Sequence, residues 1–167
     1  MKNKFTAFAT LCAGSWVLVL APIVLGQDLA DSLAVRSIAE VESKSIEAGR
    51  EVVKLIPADR VVPGDRVIYT LEVRNVSATP LDAPTLSHRV PEHMQYVADS
   101  AVGPGAVVSY SVDGGKSFER PENLKVSSPG GGVRPAIAAD YTDIRWQLKN
   151  SLKPNSVAFV RFRALVK

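Results

Sequence analysis

In the stretch GDRVIYTLEVRNVS, apolar side chains return at every second residue. Val67, Tyr69, Leu71 and Val73 fall on one side, with Arg66, Thr70, Glu72 and Arg74 on the other; Ile68 is the exception. A period of two marks an extended strand with one face buried, because successive side chains of a strand alternate between its two faces. Pro63-Gly64-Asp65 turns the chain into this strand, and Asn75-Val76-Ser77 ends it. The same grammar recurs in DIRWQL, where Ile144, Trp146 and Leu148 alternate with Arg145 and Gln147. It recurs again in VAFVRFRALV, where Ala158, Val160, Phe162, Ala164 and Val166 share a face.

Other segments fill in the pattern. EVVKLIPADRVV reads as a strand broken at Pro57, and LAVRSIAEVESKSIE fits a helical turn or an edge strand, leaning to strand. PLDAPTLSHRVPEHMQYV carries three prolines, which confine it to edge strand and turn. SSPGGGVRP is a loop by composition. Short strands separated by turn residues, with no long amphipathic helix, predict an all-β antiparallel sandwich. Its predicted core includes Tyr69, Leu71, Val73, Trp146, Leu148, Val160 and Phe162. The pattern is present in one copy, so a repeat array is not expected.

The first residues carry a different signal. Lys2 and Lys4 precede an uncharged run from Phe5 to Leu25 that contains WVLVLAPIVL, and Val24-Leu25-Gly26 fits a leader-peptidase site. This is the layout of a secretory signal peptide over residues 1–26. The alternative, an uncleaved membrane anchor, is weakened by Pro22 and by the polar QDLADS that follows. Cys12, the single cysteine of the 167 residues, lies inside the leader. The exported chain is therefore expected to fold without disulfides, cysteine nucleophiles or cysteine metal ligands. The sequence holds 20 basic and 17 acidic side chains, and two of the basic ones fall in the leader. The remaining charges are interspersed, so nothing points to nucleic-acid binding. Residues 27–60 are expected to supply N-terminal strands or an extension packed on the sandwich, and residues 61–167 the sandwich itself.

The order of motifs resembles a known family. Gly64-Asp65, Tyr69-Thr70, Asn75, Pro91, Tyr96-Val97 and Ser100-Ala101 stand where the conserved repeat domain of bacterial and archaeal envelope proteins, domain of unknown function 11, has its own. The Trp146 strand and the Pro154 turn before the final alternating strand match that family's closing strands. The resemblance runs from about Val61 to Lys167. His88 stands where the family usually has an aspartate, and Pro154-Asn155 replaces Pro-Gly. The resemblance implies an immunoglobulin-like sandwich at the cell envelope, with no catalytic activity.

Several stretches invite a chemical reading. SVDGGKSF resembles an Asp-box, the structural hairpin turn of sialidase-type propellers. A propeller needs far more chain, and a calcium loop needs several acidic ligands where this motif offers Asp113 alone. The residues read instead as a structural turn: Asp113 accepts backbone hydrogen bonds, Gly114 or Gly115 takes a positive φ, and Phe118 packs on the sheet. His88 and His93 lie five apart on a proline-broken segment, read as exposed loop histidines rather than metal ligands. PGGGVRP lacks the strand, helix and Lys-Ser/Thr of a phosphate loop. Asp140 and Asp143 before the Trp146 strand read as turn residues rather than an acid–base pair. Asn75-Val76-Ser77 is formally a glycosylation sequon, and more simply a strand end.

The sequence thus predicts a non-catalytic exported module, periplasmic, cell-surface or secreted, with no cofactor and no metal. Its partner is expected to be an envelope or extracellular protein. That protein would be met by the loop 126–140 or by strand addition at an exposed edge. Tyr141 and Arg134 are candidate interaction residues. The rival reading is a carbohydrate-binding module that stacks sugars on exposed aromatics near Tyr141.

Overall fold

The computed structural model describes residues 32–167; the expected leader, with Cys12, lies outside them. Ten strands follow in order: β1 (Leu33–Glu47), β2 (Arg50–Pro57), β3 (Arg66–Asn75), β4 (Thr85–Arg89), β5 (Met94–Tyr96), β6 (Ala106–Ser111), β7 (Lys125–Ser127), β8 (Val133–Pro135), β9 (Asp143–Leu148) and β10 (Val157–Val166). Every pairing between them is antiparallel. One sheet has the order β2-β1-β3-β10-β5, a second has β4-β9-β6, and β7-β8 is a separate small hairpin. The fold is all-β and sandwich-like.

The alternation of β3, β9 and β10 decides what lies between the sheets. Leu71 pairs with Val160 and Tyr69 with Phe162, so the apolar positions of β3 and β10 share the inner face. From the other sheet, Trp146 sits between Leu86 and Val108 across its two neighbours. Leu71, Val73, Trp146, Leu148, Val160 and Phe162 are buried in one cluster, and Tyr69 packs against it at the rim. Burying side chains of this size is the main favourable term in the fold. Gly103 marks how closely the layers approach. A Cβ there would lie 2.8 Å from Val160 Cγ1 and 3.3 Å from Trp146 Cδ1. Ile68, the exception on the polar side, is 2% exposed between Glu40 and Arg163 on the outer face. The aliphatic stems of such neighbours shield an apolar residue from water.

His88 departs from expectation. It is not an exposed loop histidine: it lies on β4, half-buried, with its ring 5.3 Å from Phe162 and 5.7 Å from Tyr69. Burial lowers its pKa, so the neutral ring is favoured.

Asn75 ends β3 through its side chain. Its Nδ2 donates to the carbonyls of Thr79 and Leu152, 2.8 Å each. Its Oδ1 accepts from the Ser77 N–H at 2.9 Å and the Ser77 hydroxyl at 2.7 Å. The residue is fully buried, so the glycosylation sequon has its acceptor nitrogen sealed in the folded chain.

The N-terminal strands share β1 unequally. β3 pairs with Leu33–Val41, whereas β2 pairs with Glu40–Glu47. Beyond Val41, β1 and β2 pair only with each other among the described residues, as a two-stranded arm. Its turn is Ala48-Gly49, with φ of 50° and 76°, and Lys54 pairs with Glu47 beside it. Two successive left-handed residues give the turn whose twist suits a two-residue hairpin.

Candidate interaction surface

The loop from Ser111 to Phe118 leaves β6 and reverses, so that Glu119 pairs with Tyr110. The buried Ser111 donates its hydroxyl to Asp113 Oδ1 at 2.7 Å and accepts the N–H of Gly115 at 2.9 Å. Asp113 also accepts the N–H groups of Lys116 and Ser117 at 3.0 Å and the Ser117 hydroxyl at 2.6 Å. These donors, led by the Ser117 and Ser111 hydroxyls, hold the Asp113 carboxyl well below the usual carboxylate range. Gly114 and Gly115 have φ of 77° and 84°, and a Cβ on Gly115 would press on Asp143 at 3.3 Å. Phe118 is half-buried under the Arg145 guanidinium, 3.6 Å from the ring centroid, on the outer face of the second sheet. The Ser111 and Asp113 side chains bond within the loop, and the Gly114 N–H ties it to the Thr142 hydroxyl at 3.0 Å, which suits a structural turn.

This predicts a concrete pH behaviour. A carboxyl depressed in the folded state contributes order above its unfolded pKa, which is lost only as pH falls through the lower folded value. In hydrogen exchange, the amides of Lys116 and Ser117 are expected to stay protected down through the ordinary carboxylate range. Asp113→Ala is expected to abolish that protection at every pH and leave the exchange of β9 and β10 unchanged.

Tyr141 and Arg134 are both engaged within the chain. The Tyr141 ring stacks on Tyr110 at 4.4 Å and lies 5.7 Å from Tyr96. Tyr96 and Tyr110 share a hydroxyl hydrogen bond of 3.0 Å, and Tyr96 accepts the Ala101 N–H at 2.9 Å. Burial raises the Tyr141 and Tyr110 pKa values, the latter also through its bond to Tyr96. The rival sugar platform thus has its aromatic stacked against the core rather than standing free. Arg134 makes a bidentate pair with Asp140, at 2.7 and 2.8 Å, and Asp140 also accepts the Ile137 N–H. The Arg134 bonds, then the Ile137 N–H, bring Asp140 down to about 2. The loop 126–140 is thereby folded into the β7-β8 hairpin and a 3₁₀ turn, Ala138–Asp140, leaving Val133 and Ile137 exposed.

Asp140 and Asp143 have separate partners. Asp143 is buried beside Gly115, with Arg89 Nε 3.6 Å from its Oδ1. Nothing here joins the two carboxyls to a shared site. Among the described residues no group of three His, Cys, Asp or Glu side chains is placed to hold a metal.

The β1-β2 arm presents a run of exposed apolar side chains. Ile46 is 79% exposed and Val53 51%, with Leu55 and Ile56 close behind. By register, Val53 and Leu55 share a face with Ile46, while Val52 and Ile56 lie on the opposite one. The Ala58 N–H donates to the Ala39 carbonyl. In an antiparallel ladder that register turns the main-chain groups of Val52, Lys54 and Ile56 toward β1 and those of Val53 and Leu55 away from it. Among the described residues no strand lies beyond β2. The adjacent apolar residues Val52-Val53 and Leu55-Ile56 were the sequence's signal for this surface, since a one-sided strand would alternate. The chain matches no family model, and no curated protein matches it.

Proposed function

We propose that this chain is a non-catalytic, exported module of a bacterial envelope or extracellular space, with an immunoglobulin-like sandwich of the conserved-repeat kind. It works by surface contact, and the contact is strand addition to the arm by a protein partner. The observation that carries this reading is the β1-β2 arm, a ribbon with an open edge and apolar side chains on both faces. An isolated two-stranded hairpin is at best marginally stable in water, and an exposed apolar edge strand is a template for pairing. Edges of this kind are ordinarily blunted by charge, proline or bulges. Here Pro57 stands at the end of β2, and Arg50, Glu51 and Lys54 are its charges. A partner strand would take up the outward main-chain groups of Val53 and Leu55 and cover one apolar face. The engaged states of Tyr141 and Arg134 support moving the contact from the 126–140 loop to this edge.

The test is a photo-crosslinking residue at Leu55 in intact producing cells. A discrete protein adduct is expected, and Val53→Pro is expected to abolish it. That substitution removes an N–H that points away from β1, so thermal stability should change little. An adduct that survives Val53→Pro, or the absence of any adduct, overturns the proposal.

A further inference from the structure

The outer face of the larger sheet, away from the core, also has an unusual surface. Phe159 and Val102 are each 53% exposed beside a depression of about 410 Å³ on that face, lined also by Ile38, Pro104, Glu40 and Arg161. A depression of this size falls within the range of small-ligand sites, which combine apolar walls with a few placed polar groups. Arg161 donates its Nε–H to the Thr70 hydroxyl at 3.0 Å. That bond orients the guanidinium and leaves its terminal nitrogens for a ligand.

The face around the depression is rich in arginine. By register, Arg36, Arg66, Arg74, Arg161 and Arg163 all lie on it. Arg74 meets Glu72 at 3.6 Å. Among the described residues Arg36, Arg66 and Arg163 have no carboxylate partner. Along β10, Phe159, Arg161 and Arg163 follow one another on the same face at steps of about 7 Å, two residues of strand.

We propose that this face binds an acidic polysaccharide, a polymer of uronate-type sugars. The Phe159 ring offers a flat apolar surface to the C–H face of a sugar ring. The arginine fork matches a carboxylate in two parallel hydrogen bonds. Glu40 supplies an acceptor for hydroxyl groups, a role that a purely anion-binding face would not include. The glutamates intermixed with the arginines also disfavour denser polyanions such as nucleic acid. The site is separate from the arm and does not depend on it.

The test is affinity electrophoresis of the intact protein through gels containing polygalacturonate, its methyl-esterified form, or polyaspartate. Retardation by polygalacturonate is expected, at least tenfold weaker with the esterified polymer. Phe159→Ala and Arg163→Gln are each expected to weaken it tenfold or more, with thermal midpoints unchanged. Val53→Pro should leave it intact, which separates this site from the arm. No retardation by polygalacturonate overturns the proposal. So does equal retardation by polyaspartate, or binding that survives Phe159→Ala.

Discussion

Trp146→Ala is expected to destabilise the protein by about 3–5 kcal/mol, the range for emptying a large aromatic site in a packed core. Trp146 is 0% exposed and lies between Leu86 and Val108 in its own sheet, with the Phe162 ring 6.1 Å away in the other. The layers meet closely enough at Gly103 that the surrounding chain has little room to collapse into the void. Trp146→Phe sharpens the test. The indole Nε1 is buried without a hydrogen-bond partner among the described residues. Phenylalanine keeps a ring in the site and removes that orphaned donor, so much of the loss should be recovered. Urea denaturation followed by far-ultraviolet circular dichroism measures both. If Trp146→Phe proved as damaging as alanine, the orphaned indole would not be a liability.

Asn75→Ala is expected to cost about 1–3 kcal/mol, the range for a buried polar group that loses its partner. The substitution removes one of the two bonds of the Leu152 carbonyl, which keeps the Leu81 N–H, leaves the half-buried Ser77 N–H without its acceptor, and unties the end of β3 from the turn before β10. Asn75→Asp should be worse at neutral pH. A carboxylate would face two carbonyl oxygens where the amide now donates to both. Its pKa would rise in the folded state, so the penalty should grow as pH rises through the ordinary carboxylate range and shrink on acidification. The contrast between alanine and aspartate across pH 3 to 7 separates the loss of a bond from the burial of a charge.

The strands most legible in the sequence are those with one face on the core. β3, β9 and β10 alternate because one face of each is against apolar neighbours and the other mostly is not. β1 was hard to read because it changes partner at Val41, so its apolar residues Val35, Ile38, Val41 and Ile46 answer to two environments. Their spacing then looks partly helical. His88 read as a loop residue because Pro84 and Pro91 bracket it, and its contact with Phe162 depends on how the two sheets pack. Tyr141 looked exposed beside the turn-forming Asp140. Its stacking partner, Tyr110, is brought to it by sheet pairing rather than by local sequence. The arm's open edge is equally non-local: which main-chain groups of β2 face outward follows from register.

The interior position of β10 in its sheet has a kinetic consequence. The strand that flanks β3 is the last of the ten in order, and the Arg161–Thr70 bond joins residues 91 apart. Loops of that length must close before the inner face is covered, and non-local pairings of this kind slow folding. β1, β2 and β3 can pair early through near neighbours in the sequence. They would then wait with Leu71 and Val73 bare until β9 and β10 arrive. The interval favours aggregation unless a holding chaperone covers it.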